Sequence, residues 1–351
     1  MYFDAEPKRD IRDFFDMEES LRSFESALNR GKLVVVSGLR RYGKTSLILT
    51  GLNKMNVQYL FLDARLLSAA TMISLSDFLG VLEDALNGVS WGKAVLKSVE
   101  GVEVGGFGVR FRNRSRETLL HTLHALSGKV IVIDEAQLLR RSNVRFDQLI
   151  AYVYDHVDAK VVVSGSQVGL LYRFLRASDP DAPLFGRPYI EVRLGRLPPE
   201  KSREFLIEGF SQEGIHVGKA LIDQAVSLFD GVIGWLTYFG FTHSRSKEQP
   251  QDVFRKASRL AAKEASSVLN TYGIAKRRYV EVLRTVASGD QVRWSEIKRG
   301  VEARLGRMPN NALANILRNL VDSGLIERRQ SGYAVPDPAL KNGVLHHFSG
   351  L

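Results

Sequence analysis

Eight residues constrain this chain more than any others. Gly38-Leu39-Arg40-Arg41-Tyr42-Gly43-Lys44-Thr45 spells G-x-x-x-x-G-K-T, preceded by the apolar run Leu33-Val34-Val35-Val36 and followed by Ser46-Leu47-Ile48. That context reads as a buried strand, a tight loop and the first turn of a helix. Two glycines let the backbone curl until its N–H groups converge, at a helix N-terminus whose dipole favours an anion. Residues 38–46 therefore form a candidate phosphate cradle, with Lys44 in reach of the β- and γ-phosphates and the Thr45 hydroxyl a ligand for Mg²⁺.

A second motif supplies the acids that such a site needs. Lys129-Val130-Ile131-Val132-Ile133-Asp134-Glu135 is too apolar for an edge strand and delivers two carboxylates at its C-terminal end. Asp134 is placed to hold Mg²⁺ and Glu135 to polarise an attacking water. The alternative is that both acids cap the next helix, since acids suit helix N-termini. Following a phosphate loop by about 90 residues, the pair favours the site.

Other strands end in polar groups too. Val57 to Asp63 finishes on a carboxylate, and Lys160-Val161-Val162-Val163-Ser164-Gly165-Ser166 on hydroxyls. If strand order sets Ser164 or Ser166 beside Asp134, either can sense the γ-phosphate; otherwise both are turn residues. Leu184-Phe185-Gly186-Arg187-Pro188 precedes a last strand, Tyr189 to Leu194. Arg187 entering its own site or a neighbour's would stabilise phosphoryl charge. Phe14, Phe15 and Met17, just ahead of the loop strand, could cover an adenine ring or belong to the core. Gly88 to Asn113 holds six glycines and alternating Val102, Val104, Phe107, Val109 and Phe111, which predicts a β-hairpin insertion around Gly105-Gly106 with no assignable task.

Pro198-Pro199 marks a boundary. Beyond it the chain turns helical over Glu200–Glu213, Lys219–Phe229, Trp235–His243 and Val253–Leu269, a small lid. Composition shifts again near Tyr272-Gly273. The domains read as 1–198, a phosphate-binding α/β domain; 199–272, a helical lid; and 273–351, a helix-turn-helix with a wing. In the last, helices are predicted over Ala275–Ala287, Ser295–Gly300 and Asn310–Ser323, the third capped by Asn310 or Asn311. A hairpin follows, turning at Gln330-Ser331-Gly332.

Charge is uneven. The formal net charge is +10, and Gln251 to Leu351 holds 17 Lys and Arg against 9 Asp and Glu, an excess of eight. A basic end on a near-neutral engine suits nucleic acid, although a solvated basic surface would look the same. Asn311, Asn315, Arg318 and Asn319 lie opposite the apolar stripe of the third helix and suit base edges and phosphates in a major groove; Arg328 and Arg329 sit on the wing. The competing expectation is that the winged helix binds protein. Cysteine is absent, which excludes disulfides and thiolate metal sites. No stretch is long and apolar enough to span a bilayer and no signal peptide opens the chain, so a cytoplasmic, membrane-free protein is expected.

Taken in this order, Gly38 to Thr45, Ile133-Asp134-Glu135, Ser164-Gly165-Ser166, Phe185-Gly186-Arg187 and the terminal winged helix resemble the archaeal ATPase family, within the AAA+/STAND group of P-loop ATPases. The resemblance covers nearly the whole chain. It implies an α/β, three-layer P-loop NTPase domain with a largely parallel five-stranded sheet in order 5-1-4-3-2, plus a helical lid and a winged helix-turn-helix. It implies ATP, ADP and Mg²⁺ as ligands. Lys44, Glu135, Ser166 and Arg187 then have catalytic roles, Gly38 to Ser46 bind nucleotide, and Thr45 and Asp134 hold metal. One departure stands out: where relatives often have Gly-x-Pro in the lid, this chain has Gly231-Val232-Ile233-Gly234-Trp235. The expected function is a slow, Mg²⁺-dependent switch ATPase that couples nucleotide state to a winged helix on double-stranded DNA; the alternative is a signalling or scaffold ATPase whose winged helix binds protein, with a homo-oligomer open in either case. A small-molecule kinase would leave the winged helix without a purpose.

Overall fold

The computed structural model of the chain describes residues 1–15, 17–67, 72–97, 99–105 and 108–348. In order, the α/β part comprises α1 (Glu18–Arg30), β1 (Leu33–Ser37), α2 (Lys44–Lys54), β2 (Tyr59–Asp63), α3 (Leu75–Asn87), α4 (Gly92–Leu96), β3 (Val102–Gly105), β4 (Gly108–Phe111), α5 (Arg116–Ala125), β5 (Val130–Asp134), α6 (Phe146–His156), β6 (Lys160–Gly165), α7 (Val168–Leu175) and β7 (Ile190–Arg193). The lid follows as α8 (Pro199–Gln212), α9 (Lys219–Phe229), α10 (Ile233–Ser246) and α11 (Pro250–Asn270). The end of the chain holds α12 (Lys276–Ala287), α13 (Trp294–Leu305), α14 (Asn310–Asp322), β8 (Glu327–Arg329), β9 (Gly332–Ala334) and α15 (Pro338–His347).

Five strands, β2-β5-β6-β1-β7 across the sheet, pair in parallel throughout. This is the order 5-1-4-3-2 read from its other edge. Every residue of β1 and β5 is buried, as central strands covered on both faces require, while edge strand β2 alternates. Alternate strand residues feed two separate cores. Val34, Val36, Val130, Val132 and Val162 join α1, α2, the lid and the winged helix; Leu33, Val35, Ile131, Ile133, Val161 and Val163 join α3 and α5 to α7. Helices thus cover both faces, which makes the three layers.

The hairpin β3–β4 forms as its alternation predicts and packs on α3, where the Asn87 side chain bridges both backbone groups of Val109. Its expected turn residue Gly106, with Phe107, lies outside the described residues. Ser74 caps α3 in a reciprocal pairing with Asp77.

Two expectations for the last domain change, and one helix is added. The second helix runs Trp294–Leu305 rather than stopping at Gly300. Neither Asn310 nor Asn311 caps α14: extended Pro309 holds the cap position, Asn310 accepts from Lys298 at 2.7 Å, and Asn311 accepts from the next backbone N–H. Beyond the wing, α15 was not foreseen. It is capped by Asp337 and lies on α11 with Gly343 against Ser258 and Ala262, which ties the winged helix to the lid.

Candidate functional site

Strand order brings the motifs together. Between β1, which launches the phosphate loop, and β5, which ends on Asp134, lies β6, with Val36 level with Ser164 and Ile133 with Val163. Ser164 is therefore next to Asp134 and donates to one carboxylate oxygen, while Thr45 donates to the other at 2.9 Å. Burial pushes the Asp134 carboxyl above its ordinary value, and the two hydroxyls oppose that rise.

The loop enters α2 through Gly43, whose φ of +82° is open to glycine at little cost. Buried Lys44 donates to the Leu39 carbonyl at 2.9 Å, inside the curl. Desolvation lowers its pKa, and the acids Glu135 and Asp134 work against that. Glu135 accepts from Ser166 Oγ at 2.8 Å, from the Ser166 N–H at 3.3 Å and from Gln137 at 2.5 Å. Glu135 and Arg41 both hold left-handed backbone, φ 53° and 66°. That conformation costs a residue with a Cβ roughly 1 kcal/mol or more and is characteristic of sites where side-chain aim matters.

Above this floor opens a cleft of about 660 Å³, walled by residues 2–8, Phe14, Phe15 and Met17 on one side and the start of α10 on the other. The two uses weighed for the aromatic residues coincide, since Phe14, Phe15 and Met17 belong to the core and also line the cleft. The leading segment is pinned to α2, with the Lys8 N–H donating to Ser46 Oγ at 3.0 Å and Thr50 to the Lys8 carbonyl. Across the cleft, the Gly234 N–H donates to the Arg41 carbonyl at 2.9 Å; a Cβ at Gly234 would lie 2.6 Å from that of Arg41. Trp235, where the resemblance would put a proline, lines the same cleft and donates from its indole to Asp337 at 3.0 Å.

Not every loop side chain faces the cleft floor. Arg41 forks onto Glu264 of α11 at 2.5 and 2.9 Å and lies 3.8 Å over the Trp235 ring; Arg40 reaches the same carboxylate at 3.3 Å. Tyr42 is buried and accepts from Arg196 at 3.4 Å. Leu39 packs against Gly324, just past α14. Glu264 and Asp337 gave no sequence signal, being single acids in an amphipathic helix and a loop. Arg65 was missed as well; it follows the carboxylate-ending strand β2, binds Asp63 and comes within 4.0 Å of Asp134 inside the cleft. Arg187 is not brought here. It pairs with Asp155 and the Pro183 carbonyl, ahead of β7 and so at the end of the sheet away from the loop.

The oxygens of Thr45 and Asp134 suit Mg²⁺, a hard cation that keeps several waters and shares the phosphates. Among the described residues no three His, Asp or Glu side chains converge, so the remaining ligands of such an ion would be water and phosphate.

On the winged helix, Asn311, Asn315 and Arg318 are exposed on α14, whereas Asn319 is spent on the Tyr279 hydroxyl at 2.7 Å. On the wing, Arg328 is exposed; Arg329 binds Glu327 at 2.7 Å and the Asp290 carbonyl at 3.3 Å.

Residues 273–335 match the family model of the MCM protein C-terminal winged helix-turn-helix domain. A solved Walker-type ATPase of Pyrococcus abyssi shares 29% identity, with 98% of this chain and 99% of that one covered and a TM-score of 0.85. The RuvB Holliday junction branch migration motor of Thermotoga maritima overlaps at 15% identity, 97% and 98% coverage and a TM-score of 0.47, too loosely to inform the site. No curated protein sequence matches the chain. The resemblance to archaeal P-loop ATPases drawn from the motifs is borne out: the chain has a Walker-type P-loop fold with a C-terminal winged helix. No helix among the described residues is long and apolar enough to cross a membrane.

Proposed function

We propose that this chain is a cytoplasmic, Mg²⁺-dependent ATPase of slow turnover, whose nucleotide state sets the posture of a winged helix on double-stranded DNA. The loop amides and Lys44 bind the phosphates, and the base lies against Phe14 and Met17. Mg²⁺, held by Thr45 and Asp134, would neutralise phosphate charge. Glu135 orients a water and takes its proton, once it is released from Ser166 and Gln137. Slow turnover follows from that hold, since the base starts out engaged by three donors.

The observation that carries the coupling is how closely the turn after α14 approaches the site: a Cβ at Gly324 would lie 3.1 Å from the Leu39 side chain and 3.2 Å from the Ser166 carbonyl. The third winged-helix segment thus ends on the phosphate loop and on the sensor turn together. A γ-phosphate that draws Ser166 off Glu135 moves the surface on which α14 rests. Arg40 and Arg41 extend the link to the lid through Glu264, and Trp235 extends it to α15 through Asp337.

The second reading, a winged helix that binds protein, draws support from Asn319 and Arg329 already having partners within the chain. Nucleotide extraction from the purified chain, followed by duplex binding in ATP and ADP, separates the two. Affinity that differs between states and falls steeply with salt supports the DNA reading; no duplex affinity in either state leaves the protein reading.

A further inference from the structure

Two segments leave the nucleotide site outward, and both end in arginines on one surface. The turn after Glu135, Ala136–Arg141, finishes in exposed Arg140 and Arg141. Helix α7, which begins two residues after Ser166, carries exposed Arg173. Onto that helix docks the end of α14: Gly169 has no room for a Cβ because Asp322 fills the space, and Arg173 pairs with Asp322. One turn earlier on α14 stands Arg318, exposed. Among the described residues Arg140, Arg141 and Arg318 have no ion pair of their own, and the one carboxylate of Asp322 faces Arg173, Arg318 and Arg140, with Arg141 beside Arg140. Partial desolvation by neighbouring groups, with the like charges of Arg173 and Arg141, lowers the Arg140 pKa, while Asp322 opposes that shift.

We propose that Arg140, Arg141, Arg173 and Arg318 form one phosphate-contacting surface for double-stranded DNA, shared between the α/β domain and the winged helix. The inference rests on the DNA reading above and adds to it a contact made by the ATPase domain itself. A duplex seated on Asn311 and Asn315 has its backbone carried past Arg318 toward α7 and the turn after Glu135. Guanidinium groups suit this role because they fork onto phosphate oxygens and do not deprotonate. Phosphate also competes with Asp322 for Arg173, so a bound duplex loosens an ion pair that pins α14 to α7. The excess of cations selects a polyanion rather than a neutral partner, because the single carboxylate of Asp322 cannot neutralise the arginines around it.

The test uses the full chain and a fluorescent duplex, with affinity followed across a salt series. For Arg140→Ala combined with Arg141→Ala, the dependence of log affinity on log salt should flatten by roughly 1.8, about 0.9 for each lost phosphate contact. Arg140→Lys with Arg141→Lys should restore the slope, and the thermal midpoint should not move, because both side chains are exposed. Arg318→Ala gives an independent check with a loss of about 0.9. An unchanged slope in both variants, alongside a flattened one for Arg328→Ala, overturns the shared surface while leaving the DNA reading intact. Failure of the wild-type chain to bind duplex overturns both.

Discussion

The Thr45 hydroxyl donates to Asp134 at 2.9 Å, so the first turn of the loop helix and the end of the third sheet strand in sequence meet across 89 residues of chain. Thr45 and Asp134 would together hold a divalent cation, which would neutralise phosphate charge. The carboxylate accepts from the Ser164 and Thr45 hydroxyls, and the cations of Lys44 and Arg65 lie near it.

Lys44 is a buried cation whose pKa burial lowers, so in the absence of nucleotide its charge is a cost to the fold. Lys44→Met keeps the volume and removes that charge. The nucleotide-free thermal midpoint should hold or rise, while ATP affinity falls by ten- to a hundredfold or more, the roughly 1.5 to 3 kcal/mol of a hydrogen bond to a charged group. Calorimetry showing unchanged affinity would remove Lys44 from the site.

Asp134 makes stability and metal binding respond to pH in opposite directions. Its folded pKa is raised above the ordinary 3.8. The folded chain then holds that proton more tightly than the unfolded one, so this group favours the fold on the acid side and withdraws that contribution as pH rises through the folded value. Mg²⁺ needs the ionised form. Its affinity should therefore weaken with acidification before an ordinary carboxylate would protonate, and Asp134→Asn should abolish that pH dependence together with tight Mg²⁺ binding. Titration calorimetry at several pH values reads both; a flat wild-type profile across the acid range contradicts the assignment.

How much was legible beforehand varies by element. The loop and both acids were readable because phosphate binding needs particular residues at particular spacings, and the strands because buried parallel strands are near-continuous apolar runs; the strand order came only from the family resemblance. The polar neighbours were not readable. Glu264 meets Arg40 and Arg41 across more than two hundred residues, and nothing local distinguishes it from Lys263 or Ser266 on the same helix. Trp235, a departure from the family's Gly-x-Pro, carried no assigned contact in the sequence; its indole reaches Asp337 at the cap of α15, a helix whose ten residues lack a clear apolar stripe. Pro309 displaced the asparagine caps because its ring already supplies the extended backbone that a cap position requires.

Glu135→Gln should retain Mg²⁺ and ATP within a few-fold and lose turnover by on the order of a hundredfold or more, the usual contribution of a general base. Ser166→Ala, which frees one donor from Glu135, should shift turnover upward or leave it level if Ser166 restrains the base. Rapid-quench measurement of single turnovers separates these effects from product release. Hydrolysis within a few-fold of wild type in Glu135→Gln would mean that the base lies elsewhere.

Arg187 and Asp155 hold each other at the far end of the sheet, so any action on phosphate has to reach a neighbouring subunit's nucleotide. Arg187→Ala should then be slow alone and Lys44→Met inactive alone, with activity returning on mixing as the intact arginine of one serves the intact loop of the other. No recovery over a range of concentrations confines Arg187 to its structural ion pair.

The two wing arginines should behave unequally toward DNA, although they are adjacent. Arg329 divides its guanidinium between Glu327 and the Asp290 carbonyl, whereas Arg328 projects from the hairpin with no such partner among the described residues. A phosphate contact from Arg328 needs no bond to be broken first; one from Arg329 has to displace a carboxylate. Arg328→Ala should therefore flatten the salt dependence of duplex binding by about 0.9, and Arg329→Ala by visibly less. Neither should change preference among sequences, because phosphates are alike at every step of the duplex. Asn315→Ala on exposed α14 should do the reverse: the salt slope stays, and discrimination between the best duplex and a scrambled one falls by roughly 1 to 3 kcal/mol if its amide makes a bidentate contact to an adenine. Competition binding against a library of duplexes reads slope and discrimination in one experiment. Equal losses in all three variants, with no change in sequence preference, would mean that α14 contributes charge rather than recognition.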